Sequence, residues 1–246
     1  MKKAILLIVT FCFLLTNGAN SQKSLMFGAG VSGSFLGQRA TRDIIDRYNE
    51  TRPWLDKKMG YTNPFGGFAF SIGRDVGTYS FTFAVNLQKS TVKASGTDAS
   101  GQLIERELRV KSSFWSFNGL WDFGSMWDLN YGLGINLGGA FGGGDYYTRV
   151  TGESEFRKIT NTGYDGSGIF FGIFYENYFL GDEESGLSFR VTPYMRGAPG
   201  TILNITDMTP LLKELDPANA GTPIENKLNN HMALGIDIQL ILRIQR

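Results

Sequence analysis

Between Trp127 and Gly138, large apolar residues alternate with small or polar ones without a break. Trp127, Leu129, Tyr131, Leu133, Ile135 and Leu137 take one parity, and Asp128, Asn130, Gly132, Gly134, Asn136 and Gly138 take the other. Strict alternation marks a strand with a single apolar face. Residues 232–244 repeat the pattern: Met232, Leu234, Ile236, Ile238, Leu240, Leu242 and Ile244 share a face, opposite Ala233, Gly235, Asp237, Gln239, Ile241 and Arg243. An ordinary strand has about 5–6 residues. This run reaches the length of about 9–11 that crosses a bilayer at a tilt.

The same pattern predicts eight strands, near 24–36, 65–74, 78–92, 103–121, 126–141, 167–179, 186–197 and 231–244. In the fourth, Leu108 and Val110 have one parity, and Trp115, Phe117 and Trp121 the other. Either a bulge near Lys111–Ser113 restores the face, or the face changes there. The connections alternate. Short ones lie at 74–77, 122–125 and 181–185, a moderate one at 93–98, and long ones at 37–64, 142–166 and 198–230. Two long connections hold helical spacing: Thr41–Met59, with Ile44, Ile45, Tyr48 and Leu55 before and after Pro53, and Thr209–Leu215 behind Pro210. These pieces either cap the rim or form recognition surfaces.

Gly28, Gly30 and Gly33 match the spacing G-x-G-x-x-G. As a dinucleotide fingerprint this needs a strand, a turn and a helix in one βαβ unit. Here Leu25, Phe27, Ala29, Val31 and Phe35 alternate with Met26, Gly28, Gly30, Ser32 and Ser34, so the first two glycines are the small face of a strand and Gly33 marks a bend. The triplet Asp122-Phe123-Gly124 has no other kinase element around it and is read as a turn.

The second face of the first, second and fifth strands is mostly Gly, Ser and Asn rather than charge. A soluble lipocalin-like barrel, the alternative, would carry a charged exterior. Small side chains suit the crowded interior of an eight-stranded barrel. Aromatics fall at strand ends: Phe65, Tyr79, Trp121, Trp127, Tyr178 and Phe179, as in an interfacial girdle. Ahead of the strands, Lys2 and Lys3 precede the short apolar run Ile5–Leu15 and the small residues Ala19-Asn20-Ser21. Residues 1–21 therefore read as a cleaved secretory signal and 22–246 as one barrel domain. The single cysteine, Cys12, lies in that signal. Without Lys2 and Lys3, 22 basic residues face 23 acidic ones, which argues against a nucleic-acid partner.

On these strands the chain resembles the small eight-stranded outer-membrane β-barrel proteins of Gram-negative bacteria. The resemblance implies an all-β, antiparallel, up-and-down transmembrane barrel with short periplasmic turns and long extracellular loops, surrounded by outer-membrane lipid and lipopolysaccharide. It departs from such barrels at its end, Ile244-Gln245-Arg246, where a terminal aromatic is common.

Lipid would penalise charge, so Glu176, Arg190, Arg196, Asp237 and Arg243 are placed in the lumen as a salt-bridge network. Glu105, Glu107, Arg109 and Lys111 join them if the fourth strand keeps that register. If Leu180 pairs with Gly186, then Glu176 stands opposite Arg190. His231, the only histidine, lies on the long-loop rim. One histidine makes no metal site. In an enzyme acting on lipid A or phospholipid it would need a nucleophile and an acid, for which Ser167 and Glu153 are the nearest guesses. The reading is a non-enzymatic barrel without cofactor or metal. Its loops bind a partner or ligand, or it serves as a subunit of an envelope complex.

Overall fold

The computed structural model describes residues 24–37, 39–76, 79–126, 129–179, 186–204 and 229–245. Trp127, the leader at 1–21 and the helical piece at 209–215 lie outside them. The strands are β1 (Ser24–Leu36), β2 (Leu55–Lys57), β3 (Phe65–Asp75), β4 (Tyr79–Thr97), β5 (Leu103–Met126), β6 (Leu129–Val150), β7 (Arg157–Phe179), β8 (Leu187–Asn204) and β9 (Asn229–Gln245), with one helix, α1 (Arg39–Glu50). All pairings are antiparallel. β1 pairs with β3 and β9, each later strand pairs with the next, and β4 joins β5, closing a ring of 8 strands. Closure leaves no free edge within the ring. The short β2 lies on β4 beyond the end of β3. There the backbone of Trp54 comes so close that a Cβ on Gly96 would collide with its carbonyl oxygen.

Alternation puts one parity of each strand outside. Ile135 and Ile169 are 71% and 73% exposed, with Phe68, Leu137, Phe171 and Leu234 also bare, so a continuous apolar surface surrounds the ring. Gly28 and Gly30 face inward. A Cβ on Gly30 would strike the Ile238 carbonyl oxygen of β9, so the spacing serves close strand packing. Gly33 marks no bend, since β1 stays in register with β3 and β9 through it.

β5 settles the choice left open at Lys111–Ser113. Its pairing with β4 runs unbroken from Trp121 to Leu103, so there is no bulge. Even-numbered residues point inward along its length, and their chemistry changes instead. Ser112 and Ser116 line the lower lumen, while Leu108 and Val110 are fully buried above. On the outside Trp115 and Phe117 give way to Lys111, Arg109, Glu107 and Glu105. The expectation that these four charges join the lumen is therefore corrected: they share the outward parity of Trp115 and Phe117, with Lys111 exposed, Glu105 and Arg109 half-buried, and Glu107 buried beside its partner Arg109. Arg109 pairs with Glu107 at 3.1 Å, and Arg149 with Glu105 at 2.5 Å.

The interval 142–166 is not a long loop. β6 and β7 continue as a hairpin with only 151–156 between them. The backbone hydrogen bonds of a hairpin persist above the bilayer, but the apolar alternation that reveals a strand stops at Phe141. In 37–64, α1 turns Thr41, Ile45 and Tyr48 to one side, at helical spacing, and buries them. Ile45 and Tyr48 enter an apolar core with Leu36, Phe65, Leu108, Val110 and Tyr146, which closes the mouth of the barrel. Asn63 ties this cap to β1 by accepting from the Leu36 N–H at 2.9 Å and donating to the Leu36 carbonyl at 3.0 Å.

Candidate functional site

The inward face of the lower barrel carries two polar clusters. Nearer the turn end, Arg190 of β8 meets Glu176 of β7 at 3.2 Å. Its second terminal nitrogen donates to Ser71 Oγ of β3 at 2.7 Å and to the Gln239 side-chain oxygen of β9. Tyr178 donates to Glu176 Oε2 at 2.9 Å, and the Arg243 guanidinium lies over its ring at 4.6 Å. Both members of the ion pair are buried, with side chains 4% and 3% exposed. An arginine that finds several acceptors in such a place can stay charged without water.

Higher up, Asp237 accepts from Ser32 Oγ at 2.5 Å and from Asn86 Nδ2 at 2.8 Å. Asn86 Oδ1 accepts from Arg196 Nη1 at 3.2 Å. Gln88 donates to Ser32 Oγ at 2.7 Å and to the Tyr194 hydroxyl at 3.2 Å. The Arg196 guanidinium lies over the rings of Tyr194 at 3.9 Å, Phe170 at 5.2 Å and Phe114 at 5.4 Å. β4 and β8 stand on opposite sides of the ring. The Arg196–Asn86 and Gln88–Tyr194 bonds therefore cross the full diameter of the lumen.

The five charges read from the sequence, Glu176, Arg190, Arg196, Asp237 and Arg243, thus divide between two clusters. Sequence reasoning missed the neutral members Ser32, Ser71, Asn86, Gln88, Tyr194 and Gln239. Their signal was parity, since Asn86 and Gln88 continue the inward series of Ser80 and Thr82 opposite Phe81 and Phe83.

The opposition of Glu176 to Arg190 is corrected. Arg190 stands opposite Tyr178, and Phe189 opposite Phe179. The proposed partner Leu180 lies outside the described residues. A shift of two residues keeps the face but changes the neighbour, so Glu176 reaches Arg190 along the diagonal. Two girdle assignments are corrected as well. Phe65 is 1% exposed, because the odd residues of β3 point inward and it caps the apolar core at the mouth. Tyr178 shares the inward parity of Glu176, where its hydroxyl has an acceptor. Tyr79 and Trp121 are on the outer face, their rings 6.0 Å apart.

Of the groups considered for lipid chemistry, Ser167 and Glu153 do not converge. His231 lies on β9 opposite Ala198, and its side chain is outside what is described. Ser167 is exposed on the outer parity of β7, opposite Phe141. Glu153 lies at the hairpin tip beyond Val150, where it accepts from the Val150 N–H at 2.9 Å and pairs with Arg157 at 3.3 Å. From Phe141 to Val150 the strand rises about 30 Å. Among the described residues no group of His, Cys, Asp and Glu is placed to hold a metal ion.

No family model matches the chain, and no curated protein matches it in sequence. Solved structures do resemble it. Ail, the attachment invasion locus protein of Yersinia pestis, in complex with the heparin analogue sucrose octasulfate, is 8% identical with a TM-score of 0.47, over 91% of this chain and 99% of that one. The outer membrane protein AlkL, solved in DMPC bilayers, is 10% identical with a TM-score of 0.43, over 94% of each chain. OprG, an outer membrane protein from Pseudomonas aeruginosa, is 6% identical with a TM-score of 0.41, over 93% of this chain and 99% of that one. Among the described residues no helix is long and apolar enough to cross a membrane. The closed ring with its apolar outer surface is a transmembrane β-barrel of the outer-membrane type, and the outer membrane is its place.

Proposed function

We propose that this protein is a non-enzymatic outer-membrane barrel that conducts nothing and works through what it holds outside the cell. The observation that carries the reading is the pair of side-chain bonds across the ring, Arg196 to Asn86 and Gln88 to Tyr194, beneath an apolar plug made with α1. A lumen bridged across its diameter and capped by hydrocarbon offers no aqueous path, and eight strands leave little room for one. What remains is the tall sheet of β4–β7. It rises past the belt with a charged exterior and holds Phe156 between Lys93 at 5.2 Å and Arg149 at 4.7 Å. A rigid sheet presents a partner or ligand with a preorganised surface, which lowers the ordering cost of binding.

The test has two arms. In planar bilayers the purified protein should give no single-channel steps, and steady porin-like conductance would refute the closed lumen. After mild detergent extraction, a defined envelope protein or ligand should accompany the full-length protein and be lost when the tip 151–156 is replaced by a two-residue turn. Equal recovery with both forms would remove the sheet from the proposal.

A further inference from the structure

Lys89 of β4 and Lys111 of β5 are directly opposed in register. Both are exposed on the outer face. Opposed residues hold their Cβ atoms about 4.5–5.5 Å apart, and like charges so placed destabilise a sheet. Among the described residues neither side chain makes an ion pair or hydrogen bond. Two carboxylates on the same surface are taken, Glu107 by Arg109 at 3.1 Å and Asp145 by Lys158 at 2.6 Å, and Asp165 stands in the lysine row only beyond Gly143, two strands from Lys111. The row is completed by Gly66 of β3 and Gly143 of β6, so no side chain shields the lysines from either flank.

Height decides what meets them. On β4 the outward residues from Tyr79 to Leu87 are apolar, and Lys89 is the next one up. Those eight steps cover about 26 Å along the strand, or about 20 Å across the bilayer at a tilt near 40°, against an apolar band of about 25 Å. The ammonium groups therefore stand where hydrocarbon ends and headgroup phosphates begin, and their stems can run along the apolar surface below.

We propose that Lys89 and Lys111 together bind the phosphate of a phosphorylated glycolipid in the outer leaflet, with Gly66 and Gly143 leaving space for its bulk. The inference rests on the outer-membrane reading above and adds a site to it. An anion between the lysines turns their repulsion into attraction, and a lipid is the anion that the belt itself delivers to that height. Each lysine near an anionic headgroup is worth about fivefold in affinity, so the two together give about 25-fold.

The experiment counts the lipid A molecules retained by the protein in phosphatidylcholine nanodiscs, by native mass spectrometry. Wild type should retain bis-phosphorylated lipid A and lose it when the phosphates are removed. Retention should fall about 25-fold in K89Q/K111Q and survive in K89R/K111R. Equal retention by wild type and K89Q/K111Q, or equal retention of the dephosphorylated lipid, would overturn the site. So would displacement by millimolar inorganic phosphate, which would make it a site for free anion. Heat-modifiable migration in phosphatidylcholine alone tests the barrel independently: a protein that inserts but shows no phosphate preference refutes this site only.

Discussion

Glu176 and Arg190 show how far residue-level reasoning carries. Both are charged on the inward parity of a membrane-spanning strand, and lipid would not accept either, so the face was legible from alternation and charge alone. The neighbour was not, because register depends on the geometry of the connection between β7 and β8, which carries no apolar pattern to count. Arg190 stands two residues from its expected position and still reaches Glu176 at 3.2 Å, since arginine is long. Removing one member of a buried pair strands the other, at a cost of about 3–5 kcal/mol. Glu176→Ala and Arg190→Ala should each lose that order of stability in urea unfolding from lipid vesicles. The double variant should lose less than the two single losses combined. Arg190→Ala should be the more costly, since it also abandons Ser71 and Gln239. Additive losses would show that the two charges do not support each other. Neutral residues were harder to read: Asn86 and Gln88 give no penalty in lipid large enough to announce which way they point.

At the scale of elements, strands that alternate were legible and strands that stop alternating were not. β6 runs nine residues beyond Phe141, to Val150, with Gly142, Gly143 and Gly144 in the gap, and glycine has no side to show. The helix was legible in position, because Ile45 and Tyr48 recur at its spacing, but its place inside the mouth depends on the distant Leu108 and Val110. Tyr48→Ala should cost the cap about 3–5 kcal/mol. The expected result is protease cleavage within 39–62 on intact cells while the barrel below keeps its heat-modifiable migration. Resistance equal to wild type would mean that the cap does not depend on this core. The β4–β5 turn offers a pH test. Asp98 Oδ1 accepts from Ser100 Oγ at 2.6 Å and from the Gln102 N–H at 2.9 Å, and these bonds hold its carboxyl below the usual range. A lowered pKa in the folded state stabilises the turn above the ordinary carboxylate pKa, and this is lost as pH falls through the folded value. Exchange of the Gln102 amide should therefore quicken in acid relative to that expected for an unprotected amide. In Asp98→Asn this extra pH dependence should be absent.

For the whole molecule, strand number and the apolar belt were enough to foresee the closed ring. The change of character partway up was legible only as one of two alternatives near Lys111–Ser113, because alternation records contrast between faces and not which face is wet. Along β5, the same parity that shelters Ser112 and Ser116 shelters Leu108 and Val110 a few residues higher, while Trp115 outside is succeeded by Lys111. This crossover works like a load line painted on a hull. Membrane thinner than the belt merely bares some hydrocarbon, at fractions of a kcal/mol per Å. Thicker membrane would have to drown the lysine row, and a submerged lysine costs up to about 2–4 kcal/mol. Folding yield into vesicles of graded acyl length should therefore decline gently on the short side and sharply on the long side. K89L/K111L should push the long limit outward and leave the short one where it was. A symmetric profile would mean that draught is set elsewhere. If the profile is lopsided, the barrel floats at a depth written into its strands, and any bilayer that thickens around it must thin locally at its edge.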